Sequence, residues 1–185
     1  VLSTQLWWFL ARASGIVAWW MLTASVLVGV LLASDLFWSR RRPKWLLDLH
    51  RGIAAMTLAF VGLHLVALVG DSYIEMDLAD LLVPFAASWR RGATALGVLA
   101  LWGLLAVQGT SMAMHRMPRK WWRLVHLGSY GVFAMVALHG TLAGTDASRG
   151  WYVAGTTLAI AAVMAGAIYR VLQRRSRQGA LDGAK

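Results

Sequence analysis

Four of the five histidines lie in two apolar stretches, HRGIAAMTLAFVGLH from His50 to His64 and HLGSYGVFAMVALH from His126 to His139. The spacings are fourteen and thirteen residues. A neutral imidazole is a good transition-metal ligand and a costly guest in hydrocarbon, so its presence there marks a candidate binding function. The chain has no cysteine, which excludes disulfides, thiolate metal sites and cysteine nucleophiles. Neither stretch contains a carboxylate, so a mixed His and carboxylate site for zinc or copper is not assembled there either.

On two parallel helices, His50 can meet His126 near one end and His64 can meet His139 near the other. At a rise of 1.5 Å per residue the two levels stand about 21 Å apart, too far for one ion and enough for two stacked porphyrins. Two imidazoles on opposite faces of an iron porphyrin give a six-coordinate haem suited to electron transfer, and its propionates need cations or water. Arg51 beside His50 and Arg123 one turn before His126 are candidate propionate contacts at one level, and Arg12 at the other. Fourteen residues at 100° each return His64 to within about 40° of His50, but thirteen leave His139 about 140° from His126. Tilt, ring placement or a local distortion must make up that difference, with Gly128 and Gly131 as candidate sites for a distortion. Interhelical hydrogen bonding is the other role open to such histidines.

The elements that must position these residues are read from hydropathy. The chain has 185 residues, 59% of them hydrophobic, with a mean hydropathy of +0.59. Five apolar stretches, near 7–34, 49–70, 92–113, 121–144 and 150–172, are long enough to span a hydrocarbon core of about 30 Å. The expected fold is all-α, a polytopic membrane bundle over residues 1–172 followed by a basic, disordered tail over 173–185. The last span is rich in Ala and Gly, which favours close helix packing.

Basic residues outnumber acidic ones by 18 to 8, but they fall between the apolar stretches, which points to membrane topology instead of nucleic-acid binding. Fourteen of the eighteen lie on one side, in SRRRPKW, HRMPRKWWR, the tail and neighbouring positions. By the positive-inside rule that side is cytoplasmic, with the N-terminus outside and the C-terminus inside. His50 and His126 then form the inner level. No n-region, h-region and cleavage-site pattern of a signal peptide opens the sequence. GDSYIEMDLADLLVPFAASWRRG on the outer side reads as a connector that caps the bundle, with a short surface helix as the alternative, and His115 in TSMAMHRMPRK as a solvated loop residue.

Paired histidines at these spacings, with LARASGIVAW on the preceding helix, resemble the ferric reductase-like transmembrane domain. That family includes the NADPH oxidases, the ferric reductases and the haem-binding membrane subunit of the bacterial methionine sulfoxide reductase system. The likeness implies two haem b groups, an inner one on His50 and His126 and an outer one on His64 and His139, with Arg12 close to the outer haem. HGTLAGTDA, 139–147, and DLADLLVPFAASW, 77–89, are similar to segments of small bacterial members without a fused reductase domain. The family core usually has six helices where five are read here, and no FAD- or NADPH-binding domain follows the last. One turn beyond His64, where the oxidases carry a further histidine, stands Leu68.

The function expected from the resemblance is dihaem electron transfer across a bacterial plasma membrane. The donor is a separate flavoprotein bearing FAD or FMN, or membrane quinol; the acceptor is an extracytoplasmic ferric chelate or redox protein. The competing readings are a haem-bearing anchor without turnover of its own and a haem-free structural or transport protein. No residue fixes the oligomeric state, and no general base or nucleophile is evident.

Overall fold

The structure, a computed structural model, describes residues 2–34, 43–72 and 76–182. The described residues form seven α-helices and one 3₁₀ turn, with no strand. The helices are α1 (Leu2–Ala33), α2 (Lys44–Gly70), α3 (Leu78–Leu82), α4 (Arg91–Met112), α5 (Arg119–Leu127), α6 (Ser129–Ala143) and α7 (Gly150–Asp182), with the 3₁₀ turn at Met114–Arg116. Five segments are long and apolar enough to cross a membrane: Gln5–Ala33, Lys44–Gly70, Arg91–Met112, Arg119–Ala143 and Gly150–Gln173. The protein is all-α and has the helix set of a multi-pass membrane protein.

Its burial pattern agrees with that solvent. A small core of Trp19, Leu22, Val26, Ala100, Val132, Phe133, Ala137, Ala159 and Val163 joins α1, α4, α6 and α7. Outside it, large apolar side chains such as Val66, Trp102, Leu138, Leu158 and Ile168 are exposed along the spans. An apolar surface of this extent is stable against lipid chains and would drive aggregation in water.

The main packing partners are α1 with α2 and α4 with α6, while α1 also touches α6 and α7. Each main pair sets a helix without histidine against one that bears it: α2 carries His50 and His64, and α6 carries His139. Helix starts follow local chemistry: α2 and α5 begin directly after Pro43 and Pro118, whose missing N–H costs nothing at a helix start. α3 opens with a reciprocal cap in which Asp80 N–H donates to Asp77 Oδ1 at 2.9 Å and Asp77 N–H to Asp80 Oδ2 at 3.2 Å. This short helix falls within the segment read as a connector, for which a surface helix is the alternative. α4 starts from Arg90 in the left-handed region (φ 40°), and the Arg90 side chain donates to Leu142 O at 2.5 Å, tying that start to the end of α6.

Two features differ from a plain reading of five straight spans. The fourth is broken at Gly128, where the N–H approaches Val125 O at 2.9 Å and Leu124 O at 3.3 Å. The i−3 contact is the shorter, as in a 3₁₀ turn, which advances about 120° per residue in place of 100°. That extra rotation, about 20° for one such step, turns His139 toward the face of His126 but makes up only a small part of the roughly 140° that the thirteen-residue spacing leaves. Only glycine fits the break, since a Cβ there would lie 2.8 Å from Val125 O. The second difference is at the end: α7 continues to Asp182, over most of the stretch expected to be a disordered tail. Arg, Gln, Leu and Ala are good helix formers and no proline interrupts them, so the transmembrane helix propagates.

Candidate functional site

The histidines are brought together in the expected pairs. His50 on α2 and His126 on α5 face each other with ring centroids 6.2 Å apart and planes at 70°. His64 and His139 line a single, mainly apolar cavity of about 250 Å³. α2 and the α5–α6 span therefore run in the same direction, with two histidine levels between them.

Each histidine is held by the helix packed against its own. His64 Nδ1 lies 2.8 Å from Ala11 O, His50 Nδ1 3.0 Å from Ser25 O, and His139 Nδ1 2.7 Å from Ala93 O. A carbonyl oxygen can only accept, so these three rings carry their proton on Nδ1 and present the Nε2 lone pair. His126 Nδ1 instead meets Ser111 Oγ at 3.3 Å. That hydroxyl donates to Val107 O at 2.7 Å, which leaves its oxygen to accept from the ring. No Nε2 of the four makes a hydrogen bond among the described residues.

Glycines make room for three of the rings. A Cβ at Gly15 would stand 3.1 Å from His64 Nδ1, one at Gly29 3.3 Å from His50 Cε1, and one at Gly97 2.8 Å from His139 Cε1 and Nδ1. The acceptor and the glycine lie one turn apart on the same helix in each case: Ala11 and Gly15, Ser25 and Gly29, Ala93 and Gly97. On α1 the two notches repeat at fourteen residues, the spacing of His50 and His64 opposite. That repeat is visible in the sequence once a small residue followed by glycine at i+4 is sought.

The candidate cations are placed differently from one another. Arg12 lines the cavity and forms a two-pronged pair with Asp146, Nε to Oδ2 at 2.5 Å and Nη2 to Oδ1 at 2.6 Å, while its guanidinium lies 5.1 Å from the Trp8 ring centre. Asp146 is buried, and its role was missed because TDAS reads as an ordinary polar turn. Arg51 is exposed, with a loose contact to Asp48 at 3.7 Å, and Arg123 is exposed as well. His115 is exposed in the 3₁₀ turn and takes no part in either level. Beyond these, Arg170 of α7 donates to the Tyr130 hydroxyl at 2.9 Å, one turn along from His126. Leu68 lines the cavity with His64.

The donor set tests what could be held. No group of three or more His, Asp or Glu stands close enough to hold one ion among the described residues. Two opposed imidazoles suit a metal whose remaining ligands arrive with it, as in an iron porphyrin, and do not suit a four-coordinate protein-only zinc site. Trp19, which lines the cavity, has a buried indole N–H without a hydrogen-bond partner among the described residues. Neither a family model, a curated protein nor a solved structure matches this chain.

Proposed function

We propose that the chain is a b-type dihaem electron-transfer protein of the bacterial plasma membrane, related to the ferric reductase-like transmembrane domain. His50 and His126 would hold the inner haem, and His64 and His139 the outer. The observation that carries this reading is the 6.2 Å between the His50 and His126 ring centroids. With metal–imidazole bonds of about 2.0 Å, His50 and His126 at this separation would be able to hold one metal atom between them. The hydrogen bonds favour the same reading: interhelical bonding engages only Nδ1, and the Nε2 lone pair is left for a ligand.

Haem, when bound, supplies a one-electron iron couple. The chain's own residues do the rest. Backbone carbonyls and Ser111 orient the imidazoles, the apolar walls of the cavity keep water away, and no side chain is arranged as a general base or nucleophile. Arg51, Arg116, Arg119, Lys120 and Arg123 at the His50 and His126 end make that end cytoplasmic under the positive-inside rule. Electrons then enter from a cytoplasmic flavoprotein or membrane quinol and leave to an extracytoplasmic ferric chelate or redox partner. A haem assay and optical spectrum of the purified full chain tests the reading. Two low-spin b-type haems per chain are expected, and protein that stays colourless with ample haem supply overturns it.

A further inference from the structure

The four Nδ1 hydrogen bonds are unequal, and the odd one lies on a pattern that would otherwise repeat. Three rings donate to backbone carbonyls at 2.7 to 3.0 Å, whereas His126 donates to a hydroxyl at 3.3 Å. On α1 the carbonyl and glycine notch occurs twice, at Ala11 with Gly15 and at Ser25 with Gly29. On α4 it occurs at Ala93 with Gly97, and fourteen residues later stand Val107 and Ser111. Serine thus occupies the place of the fourth glycine. Its hydroxyl takes Val107 O at 2.7 Å, the carbonyl equivalent to those used by the other rings. The same oxygen also accepts from Trp122 Nε1 at 3.4 Å, and the Trp122 ring stacks on His126 with centroids 5.2 Å apart and planes at 28°.

We propose that Ser111 is a positioning residue that makes His126 the weakest electron donor of the four histidines. The proposal rests on the haem reading above. A hydrogen bond from Nδ1 raises the electron density at Nε2, and more so for a short bond to a carbonyl than for a long one to a hydroxyl already shared with an indole. A weaker donor stabilises ferric iron less, so Ser111 holds the potential of the His50 and His126 level above the value a fourth carbonyl notch would give. Ser111 acts only through His126 and touches no reacting atom.

A redox titration of the purified full chain, followed by optical absorbance, tests this, with the step belonging to this level identified by its loss in His50→Ala. Ser111→Ala keeps the Cβ that blocks the notch and removes the acceptor, so the midpoint of this step rises. Ser111→Gly opens the notch, frees Val107 O for His126 and lowers the midpoint. Ser111→Thr retains the hydroxyl and leaves it near wild type. A tenfold change in the reduction equilibrium in either direction reads as about 59 mV for one electron, and the His64 and His139 step stays in place. Two wild-type steps with Ser111→Ala and Ser111→Thr indistinguishable overturn the role of Ser111 while leaving the dihaem reading intact. If Ser111→Gly folds, a midpoint moving the same way as in Ser111→Ala overturns it too. A wild-type protein without haem overturns both.

Discussion

Filling the three histidine notches gives a graded prediction. An added methyl at Gly97 would meet His139 at 2.8 Å, at Gly15 it would meet His64 at 3.1 Å, and at Gly29 it would meet His50 at 3.3 Å. Ordinary contact begins near 3.4 Å, so the ring must retreat from 2.8 Å by about 0.6 Å in Gly97→Ala, by about 0.3 Å in Gly15→Ala and by about 0.1 Å in Gly29→Ala. Metal–ligand distances tolerate deviations of about 0.2 Å. Gly97→Ala exceeds that limit clearly, Gly15→Ala slightly, and Gly29→Ala falls inside it. His139 has little freedom to retreat, because its Nδ1 is held 2.7 Å from Ala93 O. Loss of such positioning typically costs about 10–100-fold in metal affinity. Gly97→Ala should therefore lose haem from the His64 and His139 level and keep the other, Gly15→Ala should show a partial loss at that level, and Gly29→Ala should resemble wild type. The assay is haem content per chain with a redox-resolved spectrum, and Gly62→Ala, whose Cβ meets nothing within 4 Å, is the control. Equal loss from all three notch variants, or the reverse order, refutes the claim that these glycines seat the rings.

Two further outcomes follow from the same geometry. Asp146→Ala leaves the Arg12 charge without its carboxylate beside an apolar cavity, so thermal unfolding in detergent should move to lower temperature, and Arg12→Met combined with Asp146→Ala should recover part of the loss; a double variant that melts lower than Asp146→Ala contradicts this. Gly128→Ala cannot keep the helix break, because its Cβ would meet Val125 O at 2.8 Å, so the placement of His126 relative to His139 should shift and haem content should fall. Full retention of both haems in Gly128→Ala would refute a role for the break in placing the two rings.

Much of this architecture is legible in the sequence because a bilayer imposes length and hydropathy on each span, and because histidines in apolar helices stand out. The pairing of His50 with His126 and His64 with His139 follows from helix rise and direction. The mismatch of the thirteen-residue spacing follows from helix angle, but the choice among tilt, ring placement and a break at Gly128 or Gly131 does not. The supports of the rings are much harder to see, since three of the four acceptors are backbone carbonyls, which carry no residue identity. Asp146 reaches Arg12 across 134 residues of chain, a contact that only tertiary packing creates. Ser111 looks like one more serine near a helix end until the opposite helix places His126 against it. The continuation of α7 to Asp182 is hard to read from composition, because a stretch rich in arginine suggests solvation while an uninterrupted helix can also carry such residues.

Haem stoichiometry in histidine double variants tests the two-level pairing most directly. His50→Ala should halve the haem content, and adding His126→Ala should cost nothing more, because both belong to one level. His64→Ala and His139→Ala should show the same non-additivity at the other level, and His50→Ala combined with His64→Ala should leave the protein colourless while it still elutes as a folded species. Pairs within a level that behave additively, or a cross-level pair that retains haem, contradict the account.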